Sequence, residues 1–169
     1  MKLVIPTIGH KQAAWDYRQE HIDRGETHIH GSNGFMNAES YESWLEKVIW
    51  SQTNSTSDWV TGDVYFAIVS GKIVGTIAVR HSLNDALLYS GGHIGYGIRP
   101  SERRKGYGSE MLAHALDRCR ELSMEKALVT CDKGNIASAK TAQKKGGILE
   151  NEVVEEDGNI VERYWIPLR

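Results

Sequence analysis

From Ile98 to Ser109 the chain reads Ile98–Arg99–Pro100–Ser101–Glu102–Arg103–Arg104–Lys105–Gly106–Tyr107–Gly108–Ser109, a stretch equipped to hold an anion. Gly106 and Gly108 let backbone N–H groups approach a ligand with no Cβ in the way. A helix starting there aims its first unpaired N–H groups and the positive end of its dipole at one point. Arg103, Arg104 and Lys105 add cationic side chains around that point. The guest that suits such a cradle is a pyrophosphate. Two familiar nucleotide loops do not match it. A Walker loop places Gly-Lys before Ser or Thr, whereas Lys105 precedes Gly106; a dinucleotide fingerprint needs a third glycine where this chain has Met111.

Other residues with chemical potential are scattered. His28 and His30 stand two apart in a Gly/Ser-rich loop, with no further Cys, His or carboxylate to complete a metal set, so they read as loop residues touching solvent or substrate, and no metal is expected. His93 has an ordinary pKa close to neutrality and is a candidate base. Tyr96 and Tyr164 fall on strand-like runs. The two cysteines, Cys119 and Cys131, form neither a disulfide framework nor a metal spacing. Cys119 reads as a buried thiol on a helix stripe.

The elements that must position these groups follow from periodicity. Met111, Leu112, Ala115, Leu116, Cys119 and Leu122 repeat every three or four residues and predict a helix from Tyr107 to Leu122. Weaker patterns predict helices from His10 to Arg24, stopped at Gly25, and from Ala38 through Ile49, with Trp44 in the core. Asn135–Lys145 is a further helix, ended by Gly146–Gly147. Strands are expected at Leu3–Ile5, Val64–Val69, Ile73–Val79, His93–Ile98 and Lys126–Thr130, with a final hairpin of Ile148–Glu156 and Asn159–Ile166. Gly75 suggests a bulge, and Pro100 ends the strand before the cradle. Gly95 and Gly97 weaken their strand, which makes sense if something flat or narrow lies against its backbone. The order of elements predicts an α/β fold: a mixed sheet with helices on both faces.

At 169 residues the chain is expected to form a single domain, 1–169, with a real core. A net charge of −2 argues against nucleic acid as the main partner. No run reaches the roughly 20 apolar residues of a membrane span, and Pro6 and Gly9 interrupt the N-terminal apolar run, so a cytoplasmic protein with no membrane partner is expected.

Arg-x-x-Gly-x-Gly at Arg103–Gly108, directly after a strand ending Ile98-x-Pro100, resembles the acyl-CoA signature of the GNAT (Gcn5-related N-acetyltransferase) superfamily. Asn135–Ile136–Ala137–Ser138, running on to Lys144–Lys145–Gly146, resembles the second signature of that family, and the element order matches along essentially the whole chain. The resemblance implies a mostly antiparallel sheet of about seven strands that splays beside the fourth. It also implies acetyl-CoA as co-substrate. The backbone of Tyr96, Gly97 and Ile98 would face the acyl and pantetheine groups, the N–H groups of Arg104, Lys105, Gly106, Tyr107, Gly108 and Ser109 the pyrophosphate, and Asn135 and Ser138 the pantetheine–phosphate arm. A narrow thioester beside the strand would then account for Gly95 and Gly97.

Two catalytic positions depart from the resemblance. Where the family often has a tyrosine acid, seven residues after the Asn, this chain has Ala142; where some relatives have a glutamate base, it has Thr130. Substitutes are His93 as base, Tyr96 on the acyl-binding strand, and Tyr164 or His81 reaching the site. The implied activity is acetyl transfer to a primary amine of a small molecule or peptide. The alternatives are a non-catalytic CoA-binding module, suggested by Ala142 and Thr130, and a transferase using a longer acyl-CoA. A homodimer is compatible with either. The first two helices with their loop, and the final hairpin, would choose the acceptor.

Overall fold

β-Branched and small apolar residues along Gly62–Val69 and Lys72–Arg80 make two long strands of a seven-stranded sheet in the computed structural model, which describes residues 1–169. In chain order the elements are β1 (Lys2–Val4), α1 (Lys11–Asp23), α2 (Tyr41–Ser51), β2 (Gly62–Val69), β3 (Lys72–Arg80), β4 (Ile94–Ile98), α3 (Tyr107–Glu121), β5 (Lys126–Asp132), α4 (Ile136–Lys144), β6 (Ile148–Val154) and β7 (Ile160–Pro167). Their order in the sheet is β1-β2-β3-β4-β5-β7-β6. Every neighbouring pair is antiparallel except β4 with β5. The mixed, mostly antiparallel sheet is therefore the one expected. One feature of the order was not: β7 inserts between β5 and β6, so the final hairpin presents its second strand to the sheet and leaves β6 on the edge.

Helices cover both faces. α3 and α4 pack on one, over Ile77, Val79, Ile94, Ala127 and Val129. The α3 stripe of Met111, Leu112, Ala115, Leu116 and Cys119 is buried, and truncating Leu112 to Ala would cost about 2–5 kcal/mol. On the other face, α1, α2 and the segment between them bury Tyr17, Phe35, Tyr41 and Trp44 against Phe66 and Ala78. Trp44 stacks on Phe66 with ring centroids 5.7 Å apart and sends its Nε1–H to the Ser32 carbonyl at 2.7 Å.

Local signals account for the boundaries. Ser40 caps α2 by accepting from the Ser43 N–H, and Gly25, in the left-handed region at φ 74°, turns the chain out of α1. Ala67 pairs with Gly75 but Ile68 pairs with Ile73, so Val74 is the extra residue of a bulge beside the glycine that suggested one. The polar connection after β3 contains a wide helical turn at Leu87–Gly91 that the sequence pattern did not announce. No helix is long and apolar enough to cross a membrane.

Candidate active site

β4 and β5 share a single register pair, Ile94 with Val129, and then part. On its other side β4 stays paired with β3 through Ile98, where Arg99 N–H donates to the Val74 carbonyl at 2.7 Å. Ladder alternation makes Gly95 and Gly97 address β3, so Tyr96 and Ile98 turn their N–H and C=O groups into the gap. The Ile98 carbonyl already accepts from Arg103 Nε at 3.2 Å. The gap is thus a cleft edged by strand backbone without a partner strand.

His93 pins the closed end of this cleft. Its backbone N–H donates to the Leu128 carbonyl at 2.8 Å, and its Nδ1 accepts from the Leu128 N–H at 2.9 Å. With the Nδ1 lone pair occupied, the neutral ring must carry its proton on Nε2, so a second proton can enter only by breaking the strand-to-strand bond. Burial, reinforced by Arg80, pushes its pKa down to about 4. The expected base is therefore a structural staple. Tyr164 is likewise committed: it is buried, and its hydroxyl donates to Glu162 at 2.8 Å. His81 bonds Asp63, which also holds Arg118.

The cradle lies at the open end. Arg104 (φ 65°) and Gly106 (φ 84°) are both left-handed, and Gly106 occupies the cap position of α3 without any side-chain cap. No protein acceptor meets the N–H groups from Arg104 to Ser109, which form a concave run of donors at a helix start. The neighbouring cations are arranged differently from the sequence expectation. Arg103 forks onto Glu26, with contacts of 2.7 and 3.0 Å, and Lys105 pairs with Glu102 at 2.8 Å, where Lys72 also binds at 2.6 Å. Only Arg104 among the three is both exposed and unpaired. Glu20 holds the loop from α1, accepting from Arg99 Nε at 2.5 Å and Ser101 N–H at 2.6 Å. Burial would raise its carboxyl, but these bonds outweigh that and hold it at about 2.

On the α3/α4 face, Tyr96 spans the mouth of the cleft. Its ring lies 3.6 Å from where a Cβ on Gly108 would stand, and its hydroxyl meets Ser138 Oγ at 3.2 Å. Burial raises its pKa, so the phenol keeps its proton at neutral pH. Asn135 caps α4, its Oδ1 accepting from the Ser138 N–H at 3.2 Å. Ala142 is fully buried, and Thr130 spends its hydroxyl on the Ser90 carbonyl at 2.7 Å. Cys131 is buried 3.9 Å from a Glu162 oxygen, and burial pushes its thiol up to about 11.

The opposite face corrects one expectation. What lies against Gly95 and Gly97 is the chain itself. A Cβ on Gly97 would stand 3.0 Å from the His30 carbonyl oxygen, and one on Gly31 would stand 2.4 Å from the Gly95 carbonyl oxygen. Thr76, which donates to the His30 carbonyl at 2.9 Å, ties the segment down. Between this segment, α2 and Trp59 lies a cavity of about 600 Å³ whose wall includes His28, Asn33, Glu39, Lys47, Trp59 and Arg80. His28 and His30 pack edge to face at 4.5 Å. Arg80, at the end of β3, lines this cavity, and nothing in the sequence pattern singled it out.

A mixed sheet that opens between two parallel strands, with an uncapped helix start at the opening, has the architecture of the acyl-CoA N-acyltransferase fold. The chain belongs to the GNAT acetyltransferase family: the family model described as "Acetyltransferase (GNAT) domain" matches residues 12–148. Comparison with curated protein sequences gives no match. Among solved structures, the chain is similar to the microcin C7 self-immunity acetyltransferase MccE in complex with acetyl-CoA and AMP, at 17% identity and TM-score 0.73, covering 98% of this chain and 91% of that one. It is similar to a point mutant of the spermidine N-acetyltransferase SpeG from Vibrio cholerae, at 15% identity and TM-score 0.69, covering 99% and 95%. A third is the Salmonella typhimurium acetyl transferase that modifies the N-terminal serine of ribosomal protein L7/L12, at 14% identity and TM-score 0.69, covering 98% and 93%. At these identities the likeness concerns the fold.

Proposed function

We propose that the protein is an acetyl-CoA-dependent N-acetyltransferase acting on a primary amine. The observation that carries this reading is the cleft between β4 and β5, bounded by free strand backbone on one edge and by the uncapped start of α3 at its mouth. The donor would lie along β4. Its pyrophosphate would sit on the N–H groups of Arg104–Ser109, its pantetheine arm beside Asn135 and Ser138, and its thioester at the N–H of Tyr96. That N–H would polarise the carbonyl as charge develops on its oxygen. The amine would approach from the cavity on the α1/α2 face.

The neutral amine nitrogen attacks the thioester carbon, a C–N bond forms, and the C–S bond breaks with its electrons leaving on sulfur. The ammonium proton is lost into the cavity, where the His28 imidazole stands on the wall. Tyr96, protonated and reaching α4 from the strand, would deliver a proton to the departing thiolate in place of the side chain that Ala142 lacks. Holding thioester and amine together would supply much of the acceleration.

Calorimetric titration with acetyl-CoA tests the first step, and an absence of binding would end this reading. Release of CoA thiol over a broad amine panel tests the second. Ala142 and Thr130 favour one rival, a CoA-binding module without turnover; acetyl-CoA binding with no thiol release from any amine would establish that rival. Tighter binding of propionyl- or succinyl-CoA would replace acetyl as the donor.

A further inference from the structure

We infer that the acceptor carries an anionic group, a carboxylate or a phosphate, a few atoms from its amine, and that Arg80 receives it; this deepens the acetyltransferase reading and rests on it. Arg80 ends β3 on the same sheet face as Thr76 and Ala78, and it lines the cavity beneath the segment between α1 and α2. One terminal nitrogen donates to the Gly91 carbonyl at 3.1 Å and to the Gly92 carbonyl at 3.0 Å, which fixes the plane of the guanidinium. Its Nε and its other terminal nitrogen have no protein partner, yet neither is sealed away from solvent. No carboxylate pairs with it.

That arrangement differs from the other well-placed arginines. Arg99, Arg103, Arg118 and Arg163 each hold a carboxylate. A partly buried guanidinium keeps its charge and gains little from two carbonyls, so its remaining donors call for an anion. The rest of the wall agrees. Lys47 adds a second cation and Glu39 is the lone carboxylate, a poor match for an acceptor bearing several positive amines. Spacing narrows the class further. The bonded terminal nitrogen of Arg80 lies 3.8 Å from where a Cβ on Gly95 would stand, one residue from the Tyr96 N–H assigned to the thioester. An anion held there leaves room for only a short connection to the attacking nitrogen, as in an amino acid or a phosphorylated amino alcohol.

Matched pairs test this directly: L-phenylalanine against phenethylamine, L-lysine against cadaverine, O-phosphoethanolamine against ethanolamine, with spermidine as the polycation. The expected result is a kcat/KM about tenfold or more higher for an anion-bearing member than for its partner, with the amino-acid and phosphate pairs separating the two sources of charge. Arg80→Lys, which keeps charge but loses the planar fork, should raise KM for the preferred substrate about tenfold with little change in kcat. Equal or better turnover of the partners that lack the anion, or of spermidine, overturns the proposal. Calorimetry with the same pairs on CoA-saturated protein reads the anion site independently of transfer. An anion preference in binding without turnover of any amine retains the site and overturns the acetyltransferase reading alone. Binding of neither member of any pair overturns the anion site.

Discussion

Gly31 and Gly34 share a left-handed backbone, at φ 73° and 83°, but not their surroundings. A methyl at Gly31 would lie 2.4 Å from the Gly95 carbonyl oxygen, 2.7 Å from the Tyr96 Cα and 2.8 Å from the Thr76 carbonyl oxygen, all backbone atoms of paired strands; a methyl at Gly34 would meet nothing within 4 Å. Both Gly31→Ala and Gly34→Ala therefore carry the left-handed penalty of roughly 1–2 kcal/mol. Gly31→Ala adds an overpacking cost of about 1–3 kcal/mol, because β3 and β4 cannot yield without breaking ladder bonds. For a domain of this size that difference corresponds to a melting temperature about 2–12 °C lower for Gly31→Ala than for Gly34→Ala. The displaced part would be the segment and not the strand. Affinity for acetyl-CoA should therefore stay within about threefold while KM for the acceptor rises about tenfold or more. Thermal unfolding and steady-state kinetics on the two variants read both quantities. Equal stability of the pair would refute the packing argument, and a loss of acetyl-CoA affinity matching the loss of acceptor affinity would refute the division of labour between the two sides of β4.

Gly106→Val should weaken acetyl-CoA binding at least tenfold more than Arg104→Ala if, as proposed, the pyrophosphate rests on the backbone nest; calorimetry reporting the reverse order would put side-chain charge at the centre. Tyr96→Phe should lower kcat about 10²-fold with acetyl-CoA affinity nearly unchanged, and an unchanged kcat would remove Tyr96 as the acid. His93 should show no imidazole titration by NMR until near pH 4. Because its folded pKa lies below the unfolded 6.5, the unfolded chain takes up a proton between pH 6.5 and 4 that the folded chain refuses, so stability falls as pH drops through that window, by up to about 3 kcal/mol. Titration near 6.5 would contradict the staple. The buried Cys119 and Cys131 thiols, both pushed up to about 11 by burial, should react with a thiol reagent at pH 8 only as the protein unfolds; fast labelling of the native state would show that β5 opens.

Much of this was legible because it is local. The α3 stripe, the bulge at Gly75 and the glycines of the cradle each declare themselves within a few residues. What stayed hidden depends on partners far away in sequence. His93 looks like a free imidazole until the Leu128 N–H is brought to it. Gly95 and Gly97 correctly signalled a close neighbour, but nothing near them says that the neighbour is the His30–Gly31 backbone instead of a ligand. Arg103 and Lys105 looked like phosphate ligands. The Glu102–Lys105 spacing was readable, whereas the Glu26–Arg103 fork arises only when α1 docks beside the cradle loop. Arg80 sat in an ordinary polar stretch, and its isolation from any carboxylate is a fact of tertiary structure alone.

The insertion of β7 between β5 and β6 bears on how the molecule assembles. β5 forms one wall of the cleft, yet it touches β4 at a single residue pair, and its long ladder is with β7, where Val129 faces Tyr164. That ladder can close only after α4, β6 and the Gly158 turn have been passed, a long loop to bring together. The β2–β4 part of the sheet needs only the β2–β3 hairpin and the β3–β4 connection, whereas β1 reaches β2 only across α1 and α2. Folding should therefore proceed in two stages, with β2–β4 and α3 forming a frame, and β1 and the β5–β7 half docking late, the latter to create the opening. Hydrogen exchange should then find β5 and β7 among the later strands to gain protection, so that the cleft is the last thing the chain builds.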